Sequence, residues 1–577
     1  MTVKEITAAT AVVGSGCAGL NAADWLAALG QEVLLITEGM NCGTSRNTGS
    51  DKQTYYKLSL AGDEGDSVGE MARSLHHPDV DGDIALCEAA GSAQCFFRLL
   101  QLGVPFPANE MGEYVGYQTD HDLRRRATSA GPLTSRYMTE ALEASVRARG
   151  VPVLDNTLVF QVLTDSRGVC GLLCLDRITR QPLRVRCANV ILATGGPAGI
   201  YAHRVYPESQ FGMSGLAFAA GCTGVNLPCW QYGLASVGFR WNVSGSYQQA
   251  IPRYVSVDRN GVEREFLRES LSPDQVLDLT FLKGYQWPFD PAKINGSSRI
   301  DILVKEQTDL GRRVFLDYRR NPGDWSPDLL GSEAREYLTR CGALQDTPIR
   351  RLRAINAPAI RLYADHGIDL EREMLEIRVC AQHHNGGIGV DCHWQTEIPG
   401  LYVCGEAAGT FGRYRPGGTA LNSTQVGSMR AARHIAGARR PLPETLPPAE
   451  TPLVPAGDAG TITVELQEAM SRCGAFLRDP AGMARLLARI EELEAAFVPA
   501  EFGDPDLEER LRLRDLMLVQ KQVLRAMLYE TEHPGEGVLE TRGSLCRRRP
   551  ARPIPQRDLW FERVWRAQRE SKEGTSP

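Results

Sequence analysis

Three glycines and one carboxylate near the start of the chain have the types and spacing to hold a dinucleotide. Gly14, Gly16 and Gly19 stand within Gly14-Ser15-Gly16-Cys17-Ala18-Gly19, and Glu38 follows twenty-two residues after Gly16. Gly14 permits a tight turn, Gly16 lets backbone approach a pyrophosphate, and Gly19 lets a helix pack closely on a sheet. A carboxylate at Glu38 accepts hydrogen bonds from a ribose and disfavours a 2′-phosphate. These groups need a frame, and the sequence supplies one. Thr10-Ala11-Val12-Val13 is an apolar run suited to a buried strand, residues 20–29 read as a helix stopped by Gly30, and Val33-Leu34-Leu35-Ile36 is a second apolar strand. The helix N-terminus offers unpaired N–H groups and a positive dipole end to phosphates. A βαβ unit without ligand shares the strand and helix pattern, but not the acid at the end of the second strand.

Bulk properties narrow the class. The chain has 577 residues, 43% hydrophobic and 23% charged, with a formal net charge of -6. That balance argues against nucleic acid, whose phosphates would repel it without a strong basic patch. No apolar run reaches eighteen residues, so no membrane-spanning helix is expected. The first residues lead directly into the opening strand, which leaves no room for a leader and implies a cytoplasmic location. The fifteen cysteines include no C-x-x-C and no cluster-binding run. They read as reduced, mostly buried small hydrophobes, and no metal site is expected.

Along the chain, residues 81–102 and 133–150 carry helical periodicity, and 151–173 alternates as an antiparallel β element. Residues 188–192 form a buried strand that runs into Thr194-Gly195-Gly196. A later strand, 401–403, runs into Gly405-Glu406. The long interval between these two strands implies an insertion, placed at 236–339. Residues 437–460 hold six prolines with little periodicity and read as a linker. Three helical stretches follow, at 461–476, 480–497 and 507–530. Arg547-Arg548-Arg549 reads as a solvated surface cluster.

Together these stretches resemble the flavoprotein subunits of the succinate dehydrogenase and fumarate reductase family, which also includes aspartate oxidase and soluble enoate reductases. The resemblance covers most of the chain. It rests on the glycine turn, on Ala193-Thr194-Gly195-Gly196 and on Gly405-Glu406-Ala407-Ala408-Gly409. It rests also on Ser298-Arg299-Ile300-Asp301, Gly386-Gly387-Ile388, Arg415-Pro416-Gly417-Gly418-Thr419-Ala420-Leu421 and Glu540-Thr541-Arg542-Gly543-Ser544. It implies an α/β fold: a Rossmann-like FAD-binding domain (1–235 and 340–436) interrupted by an α+β capping domain (236–339), then a linker and helical C-terminal domain (437–577).

The resemblance also implies roles. The turn from Gly14 to Gly19, including Ala18, and Glu38 would hold the adenosine and pyrophosphate of FAD. Gly43, Thr44 and Ser45 would run beneath the isoalloxazine ring, and Thr194, Gly195 and Gly196 would return the chain to the cofactor. Glu406 would hold a ribityl hydroxyl, and Gly418, Ala420 and Leu421 would bring backbone and a helix N-terminus to the flavin. Arg299 matches the family's proton donor, with Asp301 and Glu265 as candidate relays. Arg415 matches the arginine that clamps a substrate carboxylate; a planar guanidinium suits that task. His383 and His384 are the histidine candidates, since Gln382 stands where the family's histidine falls. The expected activity is reduction of the double bond of an unsaturated carboxylate. The alternatives are amino-acid oxidation and electron transfer within a larger complex. The partners implied are a small carboxylate and an electron-donor protein.

Two departures matter. No histidine occurs from Asn41 to Ser50, where respiratory members tether their flavin, so FAD is expected to be non-covalent. Gly233 replaces the histidine that holds a second carboxylate, so a C4 dicarboxylate is not expected. Trp230, Tyr232, Trp241 and Tyr247 are candidate linings for a larger or aromatic acid, or else ordinary core.

Overall fold

In the parallel sheet, apolar runs lie side by side. The structure, a computed structural model, describes residues 4–61, 65–119, 121–448 and 450–556. Thr10–Val13 lies between Asn189–Leu192 and Val33–Ile36, with Leu401–Val403 and Val153–Leu154 outside them, all parallel. The four longer strands are buried throughout. A parallel sheet is covered on both faces, which is why these runs lack the alternation of a half-exposed strand. Cys17–Ala28 covers one face and packs on the helix Thr419–Ala438. An antiparallel sheet of Thr157–Asp165, Gly168–Asp176 and Pro182–Arg186, joined by Lys4–Thr7, completes this part.

A second layer is a five-stranded antiparallel sheet in the order Trp230–Ser236, Leu375–His384, Arg313–Asp317, Arg253–Val257 and Glu263–Arg264. It takes strands from either side of 236–339, so the inserted stretch grows out of a sheet that the flanking chain begins and ends. Residues 230–384 thereby carry His383 at one strand end and hold the helices Pro273–Leu282, Arg299–Asp309 and Ser332–Arg340.

Beyond the proline-rich segment the helices Ala459–Cys473, Pro480–Ala495 and Leu507–Glu532 pack on one another. The last of these reaches back to the parallel-sheet layer. The arginine cluster lies on an exposed to half-buried strand, Leu545–Arg549, paired with Val538–Arg542. Arg547 and Arg549 pair with Glu540, Arg549 also with Asp81, and Arg548 with Glu530. Asp81 is distant in sequence, so charge spacing alone could not show the full pairing. Among the described residues no helix is long and apolar enough to cross a membrane.

Candidate active site

One cavity of about 1240 Å³ runs from the glycine turn to the antiparallel layer. Its inner end is the turn after Thr10–Val13. Gly14 has φ +109°, and a Cβ there would stand 2.3 Å from the Ala193 carbonyl oxygen. Gly19 does not line the cavity. A Cβ on it would lie 1.8 Å from the Gly14 oxygen, so its task is to let the helix close on the turn. Gly16 caps the helix without a side-chain acceptor, and Ser45 Oγ accepts from Cys17 N at 3.2 Å. The remaining first-turn N–H groups are thus available to a phosphate at the cavity wall, which Gly16, Cys17 and Ala18 help to form. Gly43, Thr44 and Ser45 lie opposite, in the short helix Thr44–Asn47 and its cap.

Glu38 faces the same end, as expected, but it is not free. Its Oε2 accepts from Arg512 Nη2 at 2.5 Å, and its carbonyl oxygen accepts from Arg177 Nη1 at 2.8 Å. The Arg512 guanidinium lies 3.8 Å from the ring centre of Phe211, which lines the cavity. Arg512 belongs to Leu507–Glu532, and nothing local in the sequence marks it.

Thr194 and Gly195 line the cavity, whereas Gly196 lies beneath Glu406: a Cβ on Gly196 would stand 2.3 Å from Glu406 Oε1. Glu406, in the turn Gly405–Ala407, accepts from Tyr206 Oη and from His384 N, the latter at 2.8 Å. Burial raises its carboxyl to about 7. Gly418, at φ +92°, caps the helix Thr419–Ala438, and Gly418, Ala420 and Leu421 line the cavity.

Arg415 is buried in the wall just before that helix. Its Nη2 donates to Gln231 Oε1 at 2.5 Å, its Nε to Asn385 Oδ1 at 3.3 Å and its Nη1 to Thr419 Oγ1 at 3.4 Å. Asn385 Oδ1 also lies 2.9 Å from His383 Nδ1. With Nδ1–H donating there, His383 Nε2 is an acceptor, buried without a hydrogen-bond partner and 3.8 Å from Glu406 Oε1. Burial, then the nearby Arg415 charge, holds this imidazole well below its ordinary pKa, so it is neutral near pH 7.

The other two chemical candidates lie elsewhere. His384 does not line the cavity: its ring stacks on Trp230 at 4.1 Å, and Nε2 bonds the Leu227 oxygen at 3.1 Å. Strand alternation sends adjacent histidines to opposite faces, so only one can face the cavity. Arg299 opens the helix Arg299–Asp309, outside the cavity wall, and its nearest carboxylate is Glu306 at 3.8 Å. Both candidate relays are engaged by other cations, Asp301 by Lys283 at 2.5 Å and Glu265 by Arg253 at 2.8 Å. The structure therefore joins Arg415, His383 and Glu406 and leaves out Arg299 and His384.

Of the two readings open for the four aromatic residues, ordinary core is the one found. Trp230, Tyr232, Trp241 and Tyr247 are core: none lines the cavity. Phe281, Tyr285, Trp287 and Tyr337 line it instead.

The glycine turn with its helix N-terminus, the Glu38 carboxylate at the same end and the buried Glu406 have the chemistry to hold FAD. The FAD binding domain family model matches residues 10–421. The chain is 27% identical over 505 residues to the L-aspartate oxidase of Agrobacterium fabrum, covering 86% of each chain. It is 23% identical over 439 residues to a fumarate reductase (CoM/CoB) chain of Methanothermobacter marburgensis, covering 71% of each. Among solved structures, Mycobacterium smegmatis Sdh1 aligns with a TM-score of 0.72 at 18% identity, covering 97% of each chain. A quinol-fumarate reductase aligns at 0.67 and 18%, covering 96% of this chain and 94% of that one.

Proposed function

Because the chain belongs to the FAD binding domain family, that of the succinate dehydrogenase and fumarate reductase flavoproteins, we propose that this FAD-dependent oxidoreductase oxidises an amino acid at the carbon beside its carboxylate. The observation that carries the reading is the meeting of Arg415 and neutral His383 in one buried corner of the cavity that begins at the glycine turn. FAD, when bound, supplies the hydride acceptor. Arg415 holds the substrate carboxylate through charge-assisted hydrogen bonds, which fixes the neighbouring carbon in place. His383 Nε2 accepts a hydrogen bond from the substrate amine, and its low basicity keeps positive charge from building beside Arg415. Glu406 accepts from a ribityl hydroxyl, and the antiparallel layer keeps water from the corner. The relatives named L-aspartate oxidase support this choice.

Reduction of an unsaturated carboxylate is the second reading. It is favoured by the Ser298-Arg299-Ile300-Asp301 run, which matches the family's proton donor, and by the relative named fumarate reductase. Anaerobic mixing separates the two. Bleaching of bound FAD by amino acids, with peroxide formed when air is admitted, supports oxidation. Recolouring of chemically reduced protein by unsaturated acids supports reduction. Both readings fail if Arg415→Met turns over like wild type.

A further inference from the structure

Gly233 lies on Trp230–Ser236, two residues beyond Gln231, the partner of Arg415. Its missing side chain is used. A Cβ on Gly233 would stand 2.2 Å from Trp287 Nε1 and 2.8 Å from Cε2, so the Trp287 indole occupies the place of a side chain at 233. The chain beyond it is tied to the same strand, with Phe289 N donating to the Tyr232 oxygen at 2.8 Å. Gln382 reinforces the backbone beneath, donating to the Gly233 oxygen at 2.9 Å. Gln231 and Gly233 are two residues apart, about 7 Å along the strand and on the same face, so the indole is the next neighbour along that face from the partner of Arg415.

Three further rings line the same cavity. Phe281 meets Tyr285 edge-on at 6.1 Å and Tyr337 at 5.4 Å, and all three line the cavity with Trp287. The two phenols are already spent as donors, Tyr285 to Glu333 at 2.5 Å and Tyr337 to Gln249 at 3.0 Å. What they offer a ligand is ring surface. Among the described residues, Arg415 alone of the lysines and arginines lining the cavity is buried. Lys52 stands over the Tyr117 ring at 5.7 Å. Lys293 and Arg340 are less enclosed than Arg415 and lie beside Asp290 at 3.4 Å and Glu336 at 3.8 Å. A second substrate carboxylate would lose its hydration here without a buried cation to replace it, which is costly.

We propose that the substrate is a monocarboxylate with an aromatic or bulky apolar tail, its carboxylate on Arg415 and its tail against the Trp287 indole. The assignment rests on the reading that Arg415 receives the carboxylate, and it adds the class of substrate.

The test titrates FAD-loaded protein with hydrocinnamate, cinnamate, succinate, fumarate and acetate, following the flavin absorbance change. The aryl acids should bind at least tenfold more tightly than the dicarboxylates. Trp287→Ala should weaken the aryl acids about tenfold, as expected for loss of a ring contact, and leave acetate unchanged. Gly233→Ala, which pushes the indole from its seat, should do the same and serves if Trp287→Ala does not fold. Dicarboxylates binding as tightly as aryl acids, or equal weakening of acetate and cinnamate by both variants, would overturn the proposal. Arg415→Met distinguishes the underlying reading. If it weakens no carboxylate while Trp287→Ala still discriminates aryl acids, the clamp is wrong and the aromatic subsite stands.

Discussion

Glu406 offers a measurable link between cofactor binding and protonation. Its side chain is only 13% exposed, and burial raises its carboxyl from 4.5 to about 7. The native state therefore keeps this proton over a range where the unfolded chain has released it. The stabilising contribution is fully present below about 4.5 and is lost as pH rises through about 7. At about 1.4 kcal/mol per pKa unit, the full loss is on the order of 3 kcal/mol. Glu406→Gln removes the titration while leaving an oxygen to accept from Tyr206 and His384 N, the two donors that Oε1 now serves. Urea unfolding of FAD-free protein at pH 4.5, 6 and 8 measures the difference. Wild type should lose stability relative to Glu406→Gln across this range and not regain it at pH 8. Glu88 and Asp515, also raised to about 7 by burial, give both proteins the same background slope. On the proposed contact, a ribityl hydroxyl donating to Glu406 would favour the carboxylate, so FAD binding near pH 6.5 should release a proton in wild type and not in the variant. Parallel stability profiles, together with equal proton release, would refute the reasoning.

Three further outcomes follow from single contacts. Arg512→Met should weaken FAD binding about tenfold, through loss of a charge-assisted bond to Glu38, while leaving flavin mononucleotide affinity unchanged. Fluorescence quenching measures both, and equal losses would mean that Arg512 does not serve the adenosine end. Gly19→Ala places a Cβ 1.8 Å from a backbone oxygen, so it should cost on the order of 3 kcal/mol and yield colourless protein; a yellow variant with wild-type unfolding behaviour would contradict the packing argument. Acid precipitation should leave all flavin in the supernatant, because 41–50 offers no histidine for a tether; a yellow pellet would show a covalent bond.

The parts that were readable from sequence share a property: each depends on neighbours within a few residues or on a fixed run. The strand Thr10–Val13, the glycine turn and the helix Cys17–Ala28 are legible because a buried strand needs apolar residues at every position and the turn needs glycine. Gly418 before Thr419–Ala438 is legible for the same reason. The resemblance then carried Arg415 and Glu406 to the cavity, where both are found.

Contacts between distant segments were not readable. His383 and His384 are adjacent in sequence, and only the strand's facing decides that one lines the cavity while the other stacks on Trp230. Arg299 keeps its sequence context, yet the orientation of its helix leaves it outside the wall. The aromatic character expected near the substrate came from composition, but the residues expected to supply it are core.

By itself the sequence determined the dinucleotide frame and the chemical types at its edge, because local backbone geometry and burial pattern constrain residue identity position by position. Only the tertiary structure decided that Arg512 braces Glu38, that Gly233 seats Trp287, and that Arg415 meets His383 through Asn385. Those meetings join chain segments far apart in sequence, and their geometry is set by how whole layers pack, which no local pattern encodes.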